Sequence, residues 1–125
     1  EAARSGRRVL LADDSLTVRA LWRSILEAAG YEVVAAADGA EAWHLLEQDG
    51  ADIVISDVEM PNLDGFALTE RIRRSARWRE LPVVLITALG SDVHRTRGLQ
   101  AGADAYLVKS GFDQDALLTT LERLL

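Results

Sequence analysis

Short apolar runs alternate with longer segments of mixed polarity along the chain. Five such runs predict strands, and they are Val9–Ala12, Val33–Ala36, Ile53–Ser56, Pro82–Thr87 and Ala105–Val108. None contains a charged side chain, which is typical of strands buried on both faces of a parallel sheet. The segments after them have the apolar spacing of helices. Strands alternating with helices predict an α/β fold with a doubly wound, five-stranded parallel sheet.

The helical segments expected are residues 16–29, 40–48, 64–74, 92–101 and 113–125. Ser15 provides an N-cap for the first, and Gly30 ends it. The inward-facing residues expected are Val18, Leu21, Trp22, Ile25 and Ala29 in the first helix, Trp43 and Leu46 in the second, Leu68 and Ile72 in the third, and Leu117, Leu121 and Leu124 in the fifth. The fourth has only Val93 and Leu99 as sizeable apolar residues, so we expect it to be the least firmly packed.

Four of the five predicted strands end at, or are followed by, a residue whose side chain could bind a metal ion, react or donate a hydrogen bond. Asp13 and Asp14 follow the first strand, Asp57 follows the third, Thr87 ends the fourth and Lys109 follows the fifth. In doubly wound sheets, ligands bind at the carboxyl ends of the strands. We therefore expect these five side chains to meet at one edge of the sheet, the edge formed by the carboxyl ends of the strands, which we call the rim.

Three carboxylates at one rim repel one another unless a cation joins them. Oxygen ligands of this number suit Mg²⁺, which prefers one or two carboxylates together with water and phosphate oxygens. Asp57 can then act as a nucleophile on phosphorus and form an acyl phosphate. Lys109 would neutralise the phosphoryl oxygens, and Thr87 would donate a hydrogen bond to them.

Length and composition narrow the classes of function. A chain of 125 residues is long enough for one domain, and Glu1 to Arg8 has the composition of a linker, so we expect the domain at residues 9–125. A net charge of -6 argues against a nucleic-acid surface. The sequence has no cysteine, no apolar run of membrane-spanning length and no signal peptide.

Among the basic residues and histidines, few are candidates for a catalytic or ligand-binding role. Thirteen of the fourteen basic residues are arginine, and the only lysine is Lys109. Five of the arginines lie close together in the sequence, and we interpret them as part of a solvated helix end and loop. They are Arg71, Arg73, Arg74, Arg77 and Arg79. His44 and His94 fall within predicted helices, so we expect them at the surface and not in a metal or catalytic pair.

Several motifs in register identify a family resemblance. They are Asp13-Asp14, Asp57 with Met60-Pro61 and Asp64-Gly65, Thr87-Ala88, Gly102-Ala103-Asp104-Ala105-Tyr106, and Lys109. Together they resemble the receiver domain of bacterial two-component response regulators, the CheY-like family. The resemblance covers about Arg8 to Leu125 and implies the strand order 2-1-3-4-5.

The resemblance also implies a function. Asp57 would take a phosphoryl group from the phosphohistidine of a histidine kinase or histidine phosphotransfer domain, in the cytoplasm. Mg²⁺ would be held by Asp13, Asp14, Asp57 and the backbone carbonyl of Glu59, and Lys109 would contact the phosphate. Thr87 would move toward the phosphate and Tyr106 would turn inward, which would remodel the surface of the fourth helix, fifth strand and fifth helix for an output partner. Such a domain catalyses only its own phosphorylation and dephosphorylation.

Two further expectations concern residues around the rim. Glu59 and Leu89 should flank the approach of hydrolytic water, so we expect them to tune dephosphorylation. Receivers usually have proline after the lysine, with a cis peptide bond, whereas Ser110 follows Lys109 here. Because a cis bond before another residue costs about 3 to 4 kcal/mol, we expect either a trans bond with a rearranged loop or a strained cis bond. The segment Lys109 to Leu117 more narrowly resembles receivers fused to CheA-type chemotaxis histidine kinases.

Three alternatives share part of this pattern. A flavodoxin-like cofactor binder would need a phosphate loop after the first strand, where Asp13 and Asp14 would repel an anion. A phosphatase with an aspartate nucleophile would need a second aspartate two residues on, where this chain has Glu59 instead, and a substrate cap for which the chain is too short. A receiver that docks without accepting phosphate would be expected to lack a rim residue, and none is missing.

Overall fold

The computed structural model describes residues 7–109 and 114–125, and this part of the chain forms five strands and five helices in alternation. Their bounds are β1 (Arg8–Ala12), α1 (Leu16–Ala28), β2 (Glu32–Ala36), α2 (Gly39–Asp49), β3 (Ile53–Ser56), α3 (Gly65–Arg74), β4 (Val83–Thr87), α4 (Asp92–Ala101), β5 (Ala105–Val108) and α5 (Gln114–Leu124). The strands form one parallel sheet in the order β2-β1-β3-β4-β5. The predicted doubly wound fold and its strand order are confirmed.

Side chains on the central strands alternate between two apolar layers. In β1, Leu10 and Ala12 point into the layer formed with α2 and α3, whereas Val9 and Leu11 point into the layer formed with α1 and α5. Both layers exclude water, since these four residues are at most 1% exposed. Burial on both faces explains why these four consecutive residues of β1 are all apolar.

Four of the helices begin with the same local interaction. Ser15, Asp38, Asp64 and Ser91 each accept a hydrogen bond from the backbone N–H three residues further on. This satisfies one of the backbone donors that the first turn of a helix leaves unpaired. Each of these caps ends the loop that follows the carboxyl end of a strand, so it also fixes where that loop ends.

The buried side of α1 differs from the predicted one. Leu21 was expected to face inward, but it is 54% exposed, and Leu26 is fully buried beside Trp22. Successive helical residues are rotated by about 100°, so Leu21 and Leu26 lie at opposite margins of the stripe centred on Val18, Trp22 and Ile25. The sheet is covered by the margin that contains Leu26, and the prediction for Leu21 is wrong.

Smaller differences occur at the element ends. β1 begins at Arg8, which pairs with Glu32 and was expected to be in the linker. Residues 1–6, most of that expected linker, lie outside the described residues, as does Asp113, the expected start of the fifth helix. β4 begins at Val83, one residue after the proline that opens the predicted strand.

α4 contributes the least apolar surface to the core. Within residues 92–101, all of them described, only Gly98 and Ala101 are buried. Its two sizeable apolar residues, Val93 and Leu99, are 76% and 52% exposed. The expectation of a loosely packed fourth helix therefore agrees with the structure.

Candidate functional site

The predicted acidic residues meet at the carboxyl ends of β1 and β3. One carboxylate oxygen from each of Asp13, Asp14 and Asp57 lies within 4.8 Å of the others. Asp13 and Asp57 are only 2% and 8% exposed, whereas Asp14 is open to solvent. The group therefore has a buried inner side and one accessible edge.

Backbone groups hold the two buried aspartates in place. The Asp57 N–H donates to the carbonyl of Ala12 at 2.8 Å, and its Oδ1 accepts from the N–H of Val58 at 2.7 Å. Asp13 Oδ1 accepts from the N–H of Ser15 at 2.9 Å. Each carboxylate is thus oriented by a backbone N–H one or two residues further along the loop, and in both cases its other oxygen is left for a partner that follows β5.

That partner is Lys109, which follows β5. Its Nζ lies 2.9 Å from Asp13 Oδ2 and 3.2 Å from Asp57 Oδ2. Burial alone would lower the pKa of the ammonium, but the hydrogen bond to Asp13 and the charges of both carboxylates raise it above its ordinary value. Lys109 therefore carries a full positive charge between the two aspartates at neutral pH.

For Asp57, the effects on the pKa favour the neutral form of the side chain, whereas for Lys109 they favour the charged form. Burial raises the pKa of its carboxyl above the ordinary value, and the charge of Asp13 adds to this, although Lys109 and the Val58 N–H act against it. A carboxylate whose negative charge is incompletely compensated attracts a further cation. The three aspartates offer only oxygen ligands, the kind that Mg²⁺ prefers, and the exposed edge at Asp14 gives an ion access. The residues present therefore fit the Mg²⁺ that the sequence implies.

Thr87 and Tyr106 are joined through the backbone of Leu89. Thr87 is fully buried, and its Oγ1 accepts from the Leu89 N–H at 3.2 Å. The Tyr106 hydroxyl donates to the Leu89 carbonyl at 2.6 Å. Burial raises the pKa of this hydroxyl, so it remains a donor at neutral pH. Tyr106 already lies inward in this structure, and the sequence did not indicate which position it would occupy.

The other predicted rim residues lie around this centre. Glu59 is exposed in the loop after β3, and Leu89 is half-buried against the apolar layer beneath α2 and α3. In the same loop, a Cβ atom on Gly65 would collide with the backbone of Asp57, so glycine is required for α3 to begin this close to the site. The peptide bond between Lys109 and Ser110 lies outside the described residues, and the expectation about its geometry stays a prediction.

Two predictions about residues away from the rim have different outcomes. His44 is exposed as expected, and His94 is partly exposed, with its Nδ1 2.6 Å from Ser91 Oγ. The arginine cluster is not entirely solvated. Arg73 donates to the carbonyls of Gly102, Arg79 and Leu81 and to the carboxylate of Asp104. It therefore connects the end of α3 with the ends of the loops before β4 and β5.

Comparison with known proteins agrees with this arrangement. The family described as the response regulator receiver domain matches residues 9–122, which is nearly the whole chain. The chain belongs to this receiver family. Membership is incompatible with the flavodoxin-like and phosphatase alternatives, and it leaves open whether this receiver accepts phosphate.

Relatives of the receiver include a much longer protein and a solved chain of similar length. The receiver is 40% identical over 117 residues to a gliding motility regulatory protein of Myxococcus xanthus, covering 94% of this chain and 15% of that protein. The chemotaxis response regulator CheY4 of Vibrio cholerae has 36% identity and a TM-score of 0.88, with 97% of this chain and all of that chain covered.

A third relative was solved with a metal ion. The receiver domain of the sensor histidine kinase PA1611 from Pseudomonas aeruginosa has 32% identity and a TM-score of 0.88, covering 96% of this chain and 98% of that one. Magnesium is coordinated in its active-site cleft.

Across the first curated relatives, the receiver spans only 15% to 51% of their lengths. In the described part of this chain, no helix has both the length and the apolarity required to cross a membrane.

Proposed function

We propose that this receiver is a phosphoacceptor that takes a phosphoryl group onto Asp57 from the phosphohistidine of a histidine kinase or histidine phosphotransfer domain. The observation that carries the proposal is the buried Asp57 carboxylate, which lies beside a second buried aspartate and the only lysine of the chain. A carboxylate oxygen of Asp57 forms a bond to phosphorus as the phosphorus–nitrogen bond breaks. The electron pair of that bond remains on the imidazole nitrogen of the donor.

The residues around Asp57 would have different roles in this transfer. Asp13, Asp14, Asp57 and the backbone carbonyl of Glu59 would hold Mg²⁺, which supplies charge neutralisation of the phosphoryl oxygens when it is bound. The Lys109 ammonium would move from the carboxylates to a phosphoryl oxygen, since it remains charged. The Thr87 hydroxyl accepts a hydrogen bond from the Leu89 N–H in this structure. It would donate a hydrogen bond to another phosphoryl oxygen.

The output of the transfer would be a change at the surface of α4, β5 and α5. Thr87 is joined to Tyr106 through Leu89, so a movement of the Thr87 hydroxyl toward the phosphate disturbs the loop that holds the tyrosine. α4 begins directly after this loop, at Asp92, and has little apolar packing to restrain it. A partner protein or output domain would read the new surface, without direct binding to nucleic acid or a membrane.

Finer points of the proposal concern context and lifetime. We propose that the domain comprises residues 9–125, preceded in β1 by Arg8, and that it lies in the cytoplasm, either free-standing or, on the basis of the Lys109 to Leu117 segment, fused to a CheA-type histidine kinase. Glu59 and Leu89 would tune the lifetime of the acyl phosphate, because they lie beside Asp57 and Thr87 in the chain. Exchanging both residues should change the rate of dephosphorylation, and an unchanged rate would contradict this role.

Intact-mass analysis after incubation with acetyl phosphate tests the main proposal. We expect the wild type to gain one phosphoryl group in the presence of Mg²⁺ and to lose this gain when the ion is chelated. Asp57→Asn should gain nothing, whereas Asp49→Asn, a control at an exposed carboxylate at the end of α2, should behave as the wild type. No gain in the wild type with Mg²⁺ would favour the docking module that works without phosphate.

A further inference from the structure

A glycine in the middle of α4 lies directly against the ring of Tyr106. A Cβ atom on Gly98 would lie 2.7 Å from Cδ1 and 2.9 Å from Cε1 of that ring, and 3.3 Å from Cδ1 of Leu85. The first two distances are too short for carbon atoms in contact. Any side chain at position 98 would therefore require the ring or the helix to move.

Glycine is unfavourable inside a helix relative to alanine, because it loses more backbone freedom on folding. Gly98 lies well inside the bounds of α4 and has an ordinary helical backbone, since its φ is not among the positive values. Backbone conformation thus gives no reason for glycine here. The close approach of the Tyr106 ring does give one.

The ring is held in this position from three sides. Its hydroxyl donates to the Leu89 carbonyl, and the guanidinium of Arg95 lies over the ring, 5.4 Å from its centre. Arg95 also donates to the backbone carbonyl of Tyr106 at 3.0 Å. Arg95 and Gly98 are three residues apart and therefore lie on the same side of α4. The tyrosine is enclosed by a recess in α4 whose floor is Gly98 and whose cover is Arg95.

We propose that Gly98 is the positioning residue for Tyr106, because the absent side chain creates the recess that admits the ring. The inference rests on the switch role of Tyr106 in the proposed function and assigns a cause to its inward position. Gly98 thereby couples the placement of the ring to the placement of α4. With any larger residue, the inward ring and α4 could not both keep their present positions.

Placement of the ring then becomes linked to phosphorylation. If phosphorylation favours the inward ring, a change that disfavours this position must also disfavour phosphorylation, by at most the same factor. Gly98→Ala should therefore lower the phosphorylated fraction at a fixed, subsaturating concentration of acetyl phosphate. Residue 98 does not touch the rim, so the effect would pass through Tyr106 and Leu89.

Fluorine NMR of protein labelled with 3-fluorotyrosine measures the ring position directly. The chain has two tyrosines, and Tyr106→Phe assigns their signals. We expect Gly98→Ala to move the Tyr106 signal and to increase its H₂O/D₂O isotope shift, while the Tyr31 signal stays unchanged. Gln100→Ala, at an exposed position on the same helix, should leave both signals in place. An unmoved Tyr106 signal in Gly98→Ala would overturn the proposal.

A double-variant cycle separates the steric effect from helix propensity. With Tyr106 present, Gly98→Ala should lower the urea midpoint of unfolding. In the Tyr106→Ala background the recess is empty, so the same substitution should raise the midpoint, because alanine favours the helix. A change of the same sign and size in both backgrounds would overturn the steric coupling.

The two proposals fail separately. If the wild type takes up no phosphoryl group, the proposed function fails, while the NMR signals and the cycle still decide whether Gly98 positions the ring. If the wild type is phosphorylated, Gly98→Ala should show a several-fold lower phosphorylated fraction. A displaced ring with an unchanged fraction would overturn the link between Gly98 and phosphorylation.

Discussion

At the scale of single residues, Lys109 occupies the place where its positive charge competes with a metal ion. Its ammonium contacts one oxygen of Asp13 and one of Asp57, two of the three carboxylates that could bind Mg²⁺. We expect Lys109→Ala to bind Mg²⁺ several-fold more tightly and to take up the phosphoryl group more slowly, since the ammonium no longer compensates the phosphoryl charge.

Isothermal titration calorimetry with MgCl₂ and intact mass after acetyl phosphate would measure the two effects on Lys109→Ala. Lys109→Arg keeps the charge, so its Mg²⁺ affinity should stay near that of the wild type. Equal Mg²⁺ affinity in the wild type and Lys109→Ala would show that the ammonium does not compete for the carboxylates.

Asp38 provides a residue whose contribution depends on pH. Its pKa is lowered by hydrogen bonds from the Glu41 N–H and the Asn62 side chain. A carboxyl with a lowered pKa in the folded state stabilises the fold above its unfolded pKa of 3.8, and this stability is lost as the pH falls through the folded value. We expect Asp38→Ala to be about 1 kcal/mol less stable at pH 7, with a smaller deficit below pH 3.8.

Urea unfolding at a series of pH values would measure the deficit of Asp38→Ala. Asp38→Asn can still cap α2 but does not titrate, so its difference from Asp38→Ala should not change with pH. A deficit of Asp38→Ala that stays constant down to pH 3 would mean that the cap does not depend on the charge.

At the scale of elements, Arg73 holds three segments together at the end of the sheet opposite the rim. It donates to three backbone carbonyls and to Asp104, whose carboxylate also accepts from the Val83 N–H that opens β4. We expect Arg73→Ala to lower the free energy of unfolding by about 1 to 3 kcal/mol, since the part-buried hydrogen bonds to the carbonyls of Gly102 and Leu81 are lost.

Equilibrium urea unfolding of three variants would test the role of Arg73. Arg73→Lys should recover little of the loss, because an ammonium cannot match the planar set of donors. Arg74→Ala, at the exposed neighbouring position, should stay within about 0.5 kcal/mol of the wild type. Full recovery in Arg73→Lys would contradict the argument from the shape of the guanidinium.

Sequence patterns predicted elements better than they predicted contacts between elements. The strands and the rim residues followed from local signals, since Asp57 directly ends a run of buried residues and the rim is shared by all parallel strands. Leu21 was misplaced because helical spacing defines a stripe, while the sheet decides which margin of that stripe is covered. Arg73 and Gly98 were missed because their partners are 29 and 8 residues away in the chain, in elements whose relative placement no local pattern specifies.

At the scale of the whole molecule, the site and the stability of the fold are linked through charge. Folding brings three carboxylates within 4.8 Å of one another, two of them buried, and one ammonium compensates them only in part. In the unfolded chain the three carboxylates are separated by up to 44 residues and are fully hydrated. A divalent ion that binds this group therefore binds the folded state in preference to the unfolded one.

Mg²⁺ should consequently raise the melting temperature of the whole domain. At ten times its dissociation constant, a ligand specific to the folded state adds about 1.4 kcal/mol of stability, which for this chain length is a shift on the order of 5 °C. Differential scanning calorimetry with MgCl₂, against NaCl at equal ionic strength, measures the shift. Asp14→Asn should lose most of it, because this exposed ligand can be changed without disturbing the contacts of Lys109, whereas Asp49→Asn should retain it. Equal shifts in MgCl₂ and NaCl, or in the two variants, would mean that the ion acts by screening and not by binding at the rim.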